Sequence, residues 1–243
     1  MQQPEVNILS TRPIDQSLIE RAAESHIIIE ALSFIKTEAL TDERVIEQIR
    51  ELARTNATVV FTSMNAVEAV TAQLNDHHPD WKIFCIGHAT KELVNLHFSP
   101  GSIAGTAANA GLLAAEIIKH NPPAVVFFCG DERRPELPEM LVANNIDLQE
   151  IVVYKRFFTP EKISRPYDGI LFFSPSAVES FFLRNILPSR TVLFAIGDTT
   201  AGYLRERCSN PIIISNVPGK EQLVEQCIIY FTTSTHTHVS VKK

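Results

Sequence analysis

Residues 59–68 read VVFTSMNAVE and residues 170–179 read ILFFSPSAVE. Each is an apolar run that stops at a small hydroxyl residue, Ser63 or Ser174, and passes at once into a helix-like Ala-Val-Glu opening. A strand buried on both faces reads as a near-continuous Val/Ile/Phe run, and Ser is a good helix cap. Two more pairs keep the same order. IFCIGHATKEL from Ile83 is echoed by LFAIGDTTAGYL from Leu193, and AGLLAAEI around Leu113 by EQLVEQCI around Leu223. The serines lie 111 positions apart; Gly87 and Gly197, like Leu113 and Leu223, lie 110 apart. Three ordered matches at nearly one offset describe a chain of two related α/β halves.

A fourth match shows how the halves divide. Residues 8–34, ILSTRPIDQSLIERAAESHIIIEALSF, resemble residues 127–154, FFCGDERRPELPEMLVANNIDLQEIVVY. Ala23 aligns with Ala143, Glu30 with Glu150 and Phe34 with Tyr154, all at an offset of 120. This unit opens the chain in one half and closes the series in the other. If both halves share a fold, residues 1–34 join residues 168–243 in one lobe, and residues 37–152 form the second. The chain then crosses between lobes twice, near 32–36 and 152–158. Both crossings are strand-like (EALSFIK, IVVYKRF), so they suit a two-stranded β-ladder that still permits opening and closing.

Strand-like runs (VNILST, TVVFTS, KIFCIG, AVVFFCG, GILFFS, VLFAIG, PIIIS) alternate with amphipathic stretches. In DERVIEQIRELAR, the residues Val45, Ile46, Ile49, Leu52 and Ala53 form one helical stripe. Such alternation predicts an α/β fold of two similar lobes, each a parallel sheet covered by helices.

Composition narrows the function. With 243 residues, 45% hydrophobic and 21% charged, the chain can bury a sizeable core. A net charge of −6 and the lack of any clustered basic run argue against nucleic acid as partner. Neither GxGxxG after a strand nor GxxxxGK[ST] occurs. No apolar run is long enough to span a membrane, and MQQPEVNILS has no secretion-signal pattern, so a cytoplasmic protein is expected. Cys85, Cys129, Cys208 and Cys227 lack metal or redox spacing, and with Cys85 and Cys129 inside apolar runs buried free thiols are expected in place of disulfides or a metal site. Adjacent His77 and His78 cannot share a helix face, and His236 and His238 fall in the polar tail FTTSTHTHVSVKK, read as a mobile end. No metal site is expected.

The chemistry is expected at the loops after the strands, because ligands of parallel sheets bind at the strands' carboxyl ends. Ser63 and Ser174 suit capping there, and Gly87 and Gly197 allow a tight turn or a close approach to ligand. Free N–H groups at helix starts attract anions. Two such lobes would enclose a cleft suited to a ligand with several carboxylates or phosphates. Each residue also has an ordinary structural role as cap or turn.

Taken in order, FTSMNAVEA, FFSPSAVES, IGHAT, IGDTTAGYL and CGDERRPELPEML…IVVYKR resemble the uroporphyrinogen-III synthase family over almost the whole chain, ending before the tail. The resemblance implies two α/β lobes joined by a β-ladder. It implies cofactor-free cyclisation of the linear tetrapyrrole hydroxymethylbilane, with loss of water and inversion of ring D, in heme biosynthesis. By motif, Tyr154 resembles the tyrosine that helps the hydroxyl leave. Thr62, Ser63, Thr90, Ser174, Ser176, Thr199 and Thr200 resemble the hydroxyl residues lining the cleft. Gly87, Gly130 and Gly197 belong to the same loops. Some relatives carry Arg where this chain has Asn65, so positive charge is expected from Arg12 and Arg134. The expected partner is the tetrapyrrole alone, bound by a monomer in at most transient contact with the preceding enzyme of the pathway. A non-catalytic sensor of a polyanionic ligand could use the same loops but needs an output segment, which the chain does not show. A transferase needs a nucleotide loop or a carboxylate pair for metal, and neither is visible.

Overall fold

Buried strands dominate the computed structural model, which describes residues 5–75, 77–217 and 219–238. The chain begins β1 (Val6–Ser10), α1 (Gln16–Glu24), β2 (Ile27–Ala31), β3 (Ile35–Ala39). It continues α2 (Glu43–Ala53), β4 (Thr58–Phe61), α3 (Met64–Thr71), β5 (Lys82–Ile86), α4 (His88–His97), β6 (Ile103–Ala107) and α5 (Ala110–His120). Next come β7 (Ala124–Gly130), α6 (Glu136–Ala143), β8 (Asp147–Phe158), β9 (Gly169–Phe172) and α7 (Pro175–Phe182). The last elements are β10 (Val192–Ala195), α8 (Asp198–Arg205), β11 (Ile212–Ile214) and α9 (Lys220–His238). Helix α9 takes in the polar run as far as His238, and the remainder of that tail lies outside the described residues.

Contacts divide the chain into two units, Met1–Lys36 with Phe158–Lys243, and Thr37–Phe157. The first holds a sheet of order β11-β10-β9-β1-β2, and the second holds β3-β8-β7-β4-β5-β6. Set β9 on β4, β10 on β5, β11 on β6, β1 on β7 and β2 on β8, and the two orders coincide. The permuted repeat is therefore a repeat of topology, with parallel pairings throughout the shared strands.

One detail of the repeat needs correction. Strand pairing and burial align α1 and β2 with α6 and β8 at an offset of 119, not 120. Leu18 and Leu137 are both buried, as are Ala22 and Leu141. The left-handed turn residues His26 (φ 58°) and Asn145 (φ 59°) then coincide. Tyr154 corresponds to Ile35, and Phe34 to Val153. Matching residue identities cannot see register, whereas a slip of one in a strand turns every side chain to the opposite face.

Each sheet is buried on both sides because alternate residues of one strand enter different cores. Val59 and Phe61 pack with Ile49, Ala66, Val94, Trp81 and Phe128, while Val60 packs with Leu113, Ile117, Leu137 and Leu141. In the other unit Ile170 and Phe172 join Ala177, Phe181 and Leu204, and Leu171 joins Leu18, Ala22 and Leu223. Each such side chain, fully buried, contributes roughly 1.5–3 kcal/mol. All four cysteines are free. Burial pushes the thiols of Cys85 and Cys129 up to about 11, and that of Cys227 up as well, so they stay protonated and unreactive near neutrality. Among the described residues no helix is long and apolar enough to cross a membrane.

A polar cluster ties the start of β9 to β2. The Tyr167 hydroxyl donates to Glu30 Oε2 at 2.6 Å, and Arg165 Nη2 donates to the same oxygen at 3.0 Å. These bonds, the phenol first and the guanidinium next, hold the Glu30 carboxyl below its ordinary range. A depressed carboxylate stabilises the fold above its unfolded value of about 4.3, and that stability is lost as pH falls through the lower folded value. Acid melts should therefore show Glu30→Gln with a flatter decline in Tm below about pH 4.3 than the native chain; parallel acid limbs would assign the cluster no part in pH stability.

Candidate active site

The order β6-β5-β4-β7-β8 reverses direction between β4 and β7. At such a switch point the loops leave neighbouring strands in opposite directions and open a crevice at their carboxyl ends. A cavity of about 400 Å³ lies there, wholly within the second unit. Thr62 and Ser63 enter it from the end of β4, Gly130, Glu132, Arg133 and Arg134 from β7, and Tyr154 and Arg156 from β8. Asn109, at the start of α5, completes the polar lining.

The placement of Tyr154 follows from a break in the β7–β8 ladder. Cys129 lies opposite Val152, but Gly130 lies opposite Tyr154, so the register skips Val153. Such bulges re-aim side chains and are unusual between parallel strands. The Tyr154 ring rests directly over Gly130. A Cβ there would lie 2.5 Å from Cε2, 2.6 Å from Cζ and 2.9 Å from the hydroxyl oxygen. At this same hydroxyl end of the ring, Ser63 Oγ donates to Tyr154 Oη at 3.1 Å. Ser63 Oγ is also the N-cap of α3, accepting from Ala66 N at 3.3 Å. A half-buried phenol is thus seated against Gly130 and bonded to Ser63 at its hydroxyl end, in a polar cavity.

The charges around it are partly spent. Arg156 Nη1 pairs with Glu132 at 2.8 Å, and Arg133 pairs with Glu150 through two nitrogens, Nη2 at 2.7 Å. The Glu150 carboxylate holds the Arg133 proton more firmly than usual. Arg134 is exposed at the cavity and, among the described residues, forms no ion pair. It is the cation best placed for an incoming carboxylate.

The remaining candidates fall elsewhere. Asn65 is exposed on the first turn of α3, outside the cavity lining. Gly87 and Gly197 begin α4 and α8 without any side-chain cap, whereas Ser63, Asn109 and Ser174 each occupy one amide of their helices. The two glycine-led helices therefore keep more free N–H groups. Thr90 and Thr200 sit in equivalent third positions of these helices and are both buried, while Thr199 is exposed. In the first unit the matching switch point lies between β9 and β1. Ser174 caps α7 by accepting from Ala177 N at 3.2 Å, Ser176 is buried behind it, and the Arg12 guanidinium lies 5.8 Å from the centre of the Phe173 ring. Asn109, Glu132, Arg133 and Arg156 were not singled out from sequence. Asn109 was readable as a cap before an apolar helix; the ion pairs were not, since their partners lie 17 and 24 residues away.

The repeated glycines differ in kind. Gly87 has φ 73° and ψ 175°, a region that side chains avoid, so Gly87→Ala should cost about 1–3 kcal/mol and lower Tm whatever the ligand. Gly197 is extended at φ −179°, and nothing lies within 4 Å of a Cβ built on it. Gly197→Val should therefore meet no clash and lower Tm only modestly, by replacing a favoured N-cap residue with a disfavoured one. If a ligand approaches this backbone closely, the valine will reduce activity more than Thr199→Ala, which removes one hydrogen bond worth about 0.5–1.5 kcal/mol. Kinetics and melts on the three variants check this; the reverse order for the last two would give the credit to side chains.

Two parallel sheets of one permuted topology, with a hydroxyl-rich and arginine-bearing cavity at a switch point, define a two-unit α/β protein whose cavity has donors suited to an anionic group. The sequence matches the family described as uroporphyrinogen-III synthase HemD over residues 16–225. The chain belongs to the uroporphyrinogen-III synthase family. In fold it is similar to the uroporphyrinogen-III synthetase of Helicobacter pylori 26695, with TM-score 0.68 and 19% identity over 93% of this chain and 99% of that one. A mutant uroporphyrinogen III synthase from the extremely thermophilic bacterium Thermus thermophilus is similar at TM-score 0.56 and 14% identity, covering 95% and 99%. No curated protein sequence matches the chain.

Proposed function

We propose that the chain closes hydroxymethylbilane to uroporphyrinogen III as a cofactor-independent lyase, with Tyr154 as the acid. The carrying observation is the Tyr154 phenol, fixed between Gly130 and Ser63 at the cavity of the second unit. The pyrrole nitrogen of the terminal ring pushes out the hydroxyl, the C–O bond breaks, and the phenol proton leaves with the oxygen as water. The resulting cation is attacked by the substituted carbon of ring D, giving a spiro intermediate that reopens and recloses with the ring inverted. The proton released on reclosure restores the phenol, so one water is lost overall.

Unaided, the cation closes at the free end of ring D without inversion. The protein's task is therefore chiefly orientation, which can contribute many orders of magnitude in rate. The acetate and propionate arms give it handles. Arg134 is available to one of them, and the free N–H groups at Gly87, in the same unit, suit another. A net charge of −6 does not oppose this, because charges beyond a Debye length of about 8–10 Å are screened.

Incubation with enzymatically generated hydroxymethylbilane, then oxidation and separation of the uroporphyrin isomers, tests the proposal. Isomer III should dominate. Isomer I alone, the product that forms without any enzyme, would overturn it.

A further inference from the structure

We infer that Ser63 is a positioning residue that turns the Tyr154 proton toward the ligand; this rests on the reading of Tyr154 as the acid. The argument is one of donors and acceptors. A serine hydroxyl has one proton and can also accept. The Ala66 N–H can only donate, so it takes a lone pair of Ser63 Oγ, at 3.3 Å. The Ser63 proton is then directed to Tyr154 Oη, at 3.1 Å. With that oxygen accepting from Ser63, its own proton must point off the Ser63–Tyr154 line. Among the described residues the phenol makes no other hydrogen bond, and its ring is flanked by the bare Cα of Gly130. The proton is left for the contents of the cavity that Ser63 and Tyr154 both line. The opposite arrangement, phenol donating to serine, would spend the acid's proton inside the protein and turn the serine proton to the cavity in its place.

The repeat separates this role from capping. Ser174 occupies the same place in the first unit and caps α7 through Ala177 N at 3.2 Å. Among the described residues its hydroxyl bonds no phenol, and the residue 119 positions before Tyr154 is Ile35. Both serines cap a helix, and among the described residues Ser63 bonds a tyrosine while Ser174 does not. Capping accounts for the shared bond and leaves the second one to be explained. The bulge that skips Val153 is what brings Tyr154 within reach.

A double-mutant cycle tests the inference. Ser63→Ala should lower kcat roughly 3- to 10-fold, the worth of one neutral hydrogen bond, with KM within about 2-fold. Ser63→Thr, which keeps the hydroxyl, should restore most of the turnover. In a Tyr154→Phe background, Ser63→Ala should change kcat by less than about 2-fold, since the proton it directs is gone. Ser63→Gly serves as a second variant, because glycine removes the hydroxyl yet remains an acceptable N-cap. If the full loss persists in the Tyr154→Phe background, or appears in KM alone, Ser63 acts on the substrate or on the helix and the inference fails. If Tyr154→Phe itself turns over normally, the acid assignment fails and takes the inference with it.

Discussion

Tyr154→Phe is expected to lower turnover by roughly 10- to 1000-fold while the product stays mainly isomer III. General-acid help is typically worth about 100- to 10,000-fold. The lower part of that range applies because the pyrrole nitrogen already drives the hydroxyl out, and water can enter the cavity and donate in place of the phenol. The fold should be unaffected. The ring remains seated over Gly130, and the bond lost is one partly exposed contact with Ser63. Retention of isomer III is the sharper half of the expectation. Ring orientation is assigned to carboxylate contacts away from this residue, so loss of the hydroxyl should slow ring closure without redirecting it. Rate and isomer ratio are measured together on the one variant. Unchanged turnover would make Tyr154 a packing residue, and a switch to isomer I would make it the group that holds ring D.

Gly130→Ala should reduce activity by about as much as Tyr154→Phe, through the same phenol. The glycine does not have a positive φ, so its backbone would accept alanine. What opposes the substitution first is the Tyr154 phenol, whose Cε2 a Cβ would meet at 2.5 Å. Either the ring swings away from Ser63, or β7 and β8 part; overpacking of this kind costs about 1–3 kcal/mol. Melts separate this from a general defect of the strand. Alanine at 130 should lower Tm with Tyr154 present and much less in the Tyr154→Ala background, where the space is empty. Equal losses in both backgrounds would show that the glycine serves the strand and not the tyrosine. Normal activity in Gly130→Ala would mean the phenol's position does not matter.

Much of the site's address was legible in the chain. The strand-to-helix joints at Ser63 and Ser174 stand out because a doubly buried strand must be written in Val, Ile and Phe, and because the first helix turn needs an acceptor. The cavity lies at the carboxyl end of the strand before Ser63, where Thr62, Ser63, Gly130, Arg134 and Tyr154 are brought together. Other assignments were legible only by type. Thr90 and Thr199 look alike as hydroxyl residues after an Ile-Gly pair, yet one is buried and the other exposed. Helix phase decides this, and at a helix start one position turns the side chain by about 100°. The arginines were visible as charges, but Arg133 and Arg156 are spent on glutamates that only the sheet brings near.

The sequence by itself determined the parallel α/β architecture and its permuted duplication. Both rest on local patterns repeated along the chain: apolar runs, caps and glycines at regular spacing. Only the tertiary structure decided the register of β2 and β8 in the repeat, the meeting of Ser63 with Tyr154 across 91 positions, and the seat of that ring on Gly130. These depend on one residue skipped in the pairing of two strands. Residue type does not encode such a shift, because it arises from how whole strands settle against one another once their faces are buried.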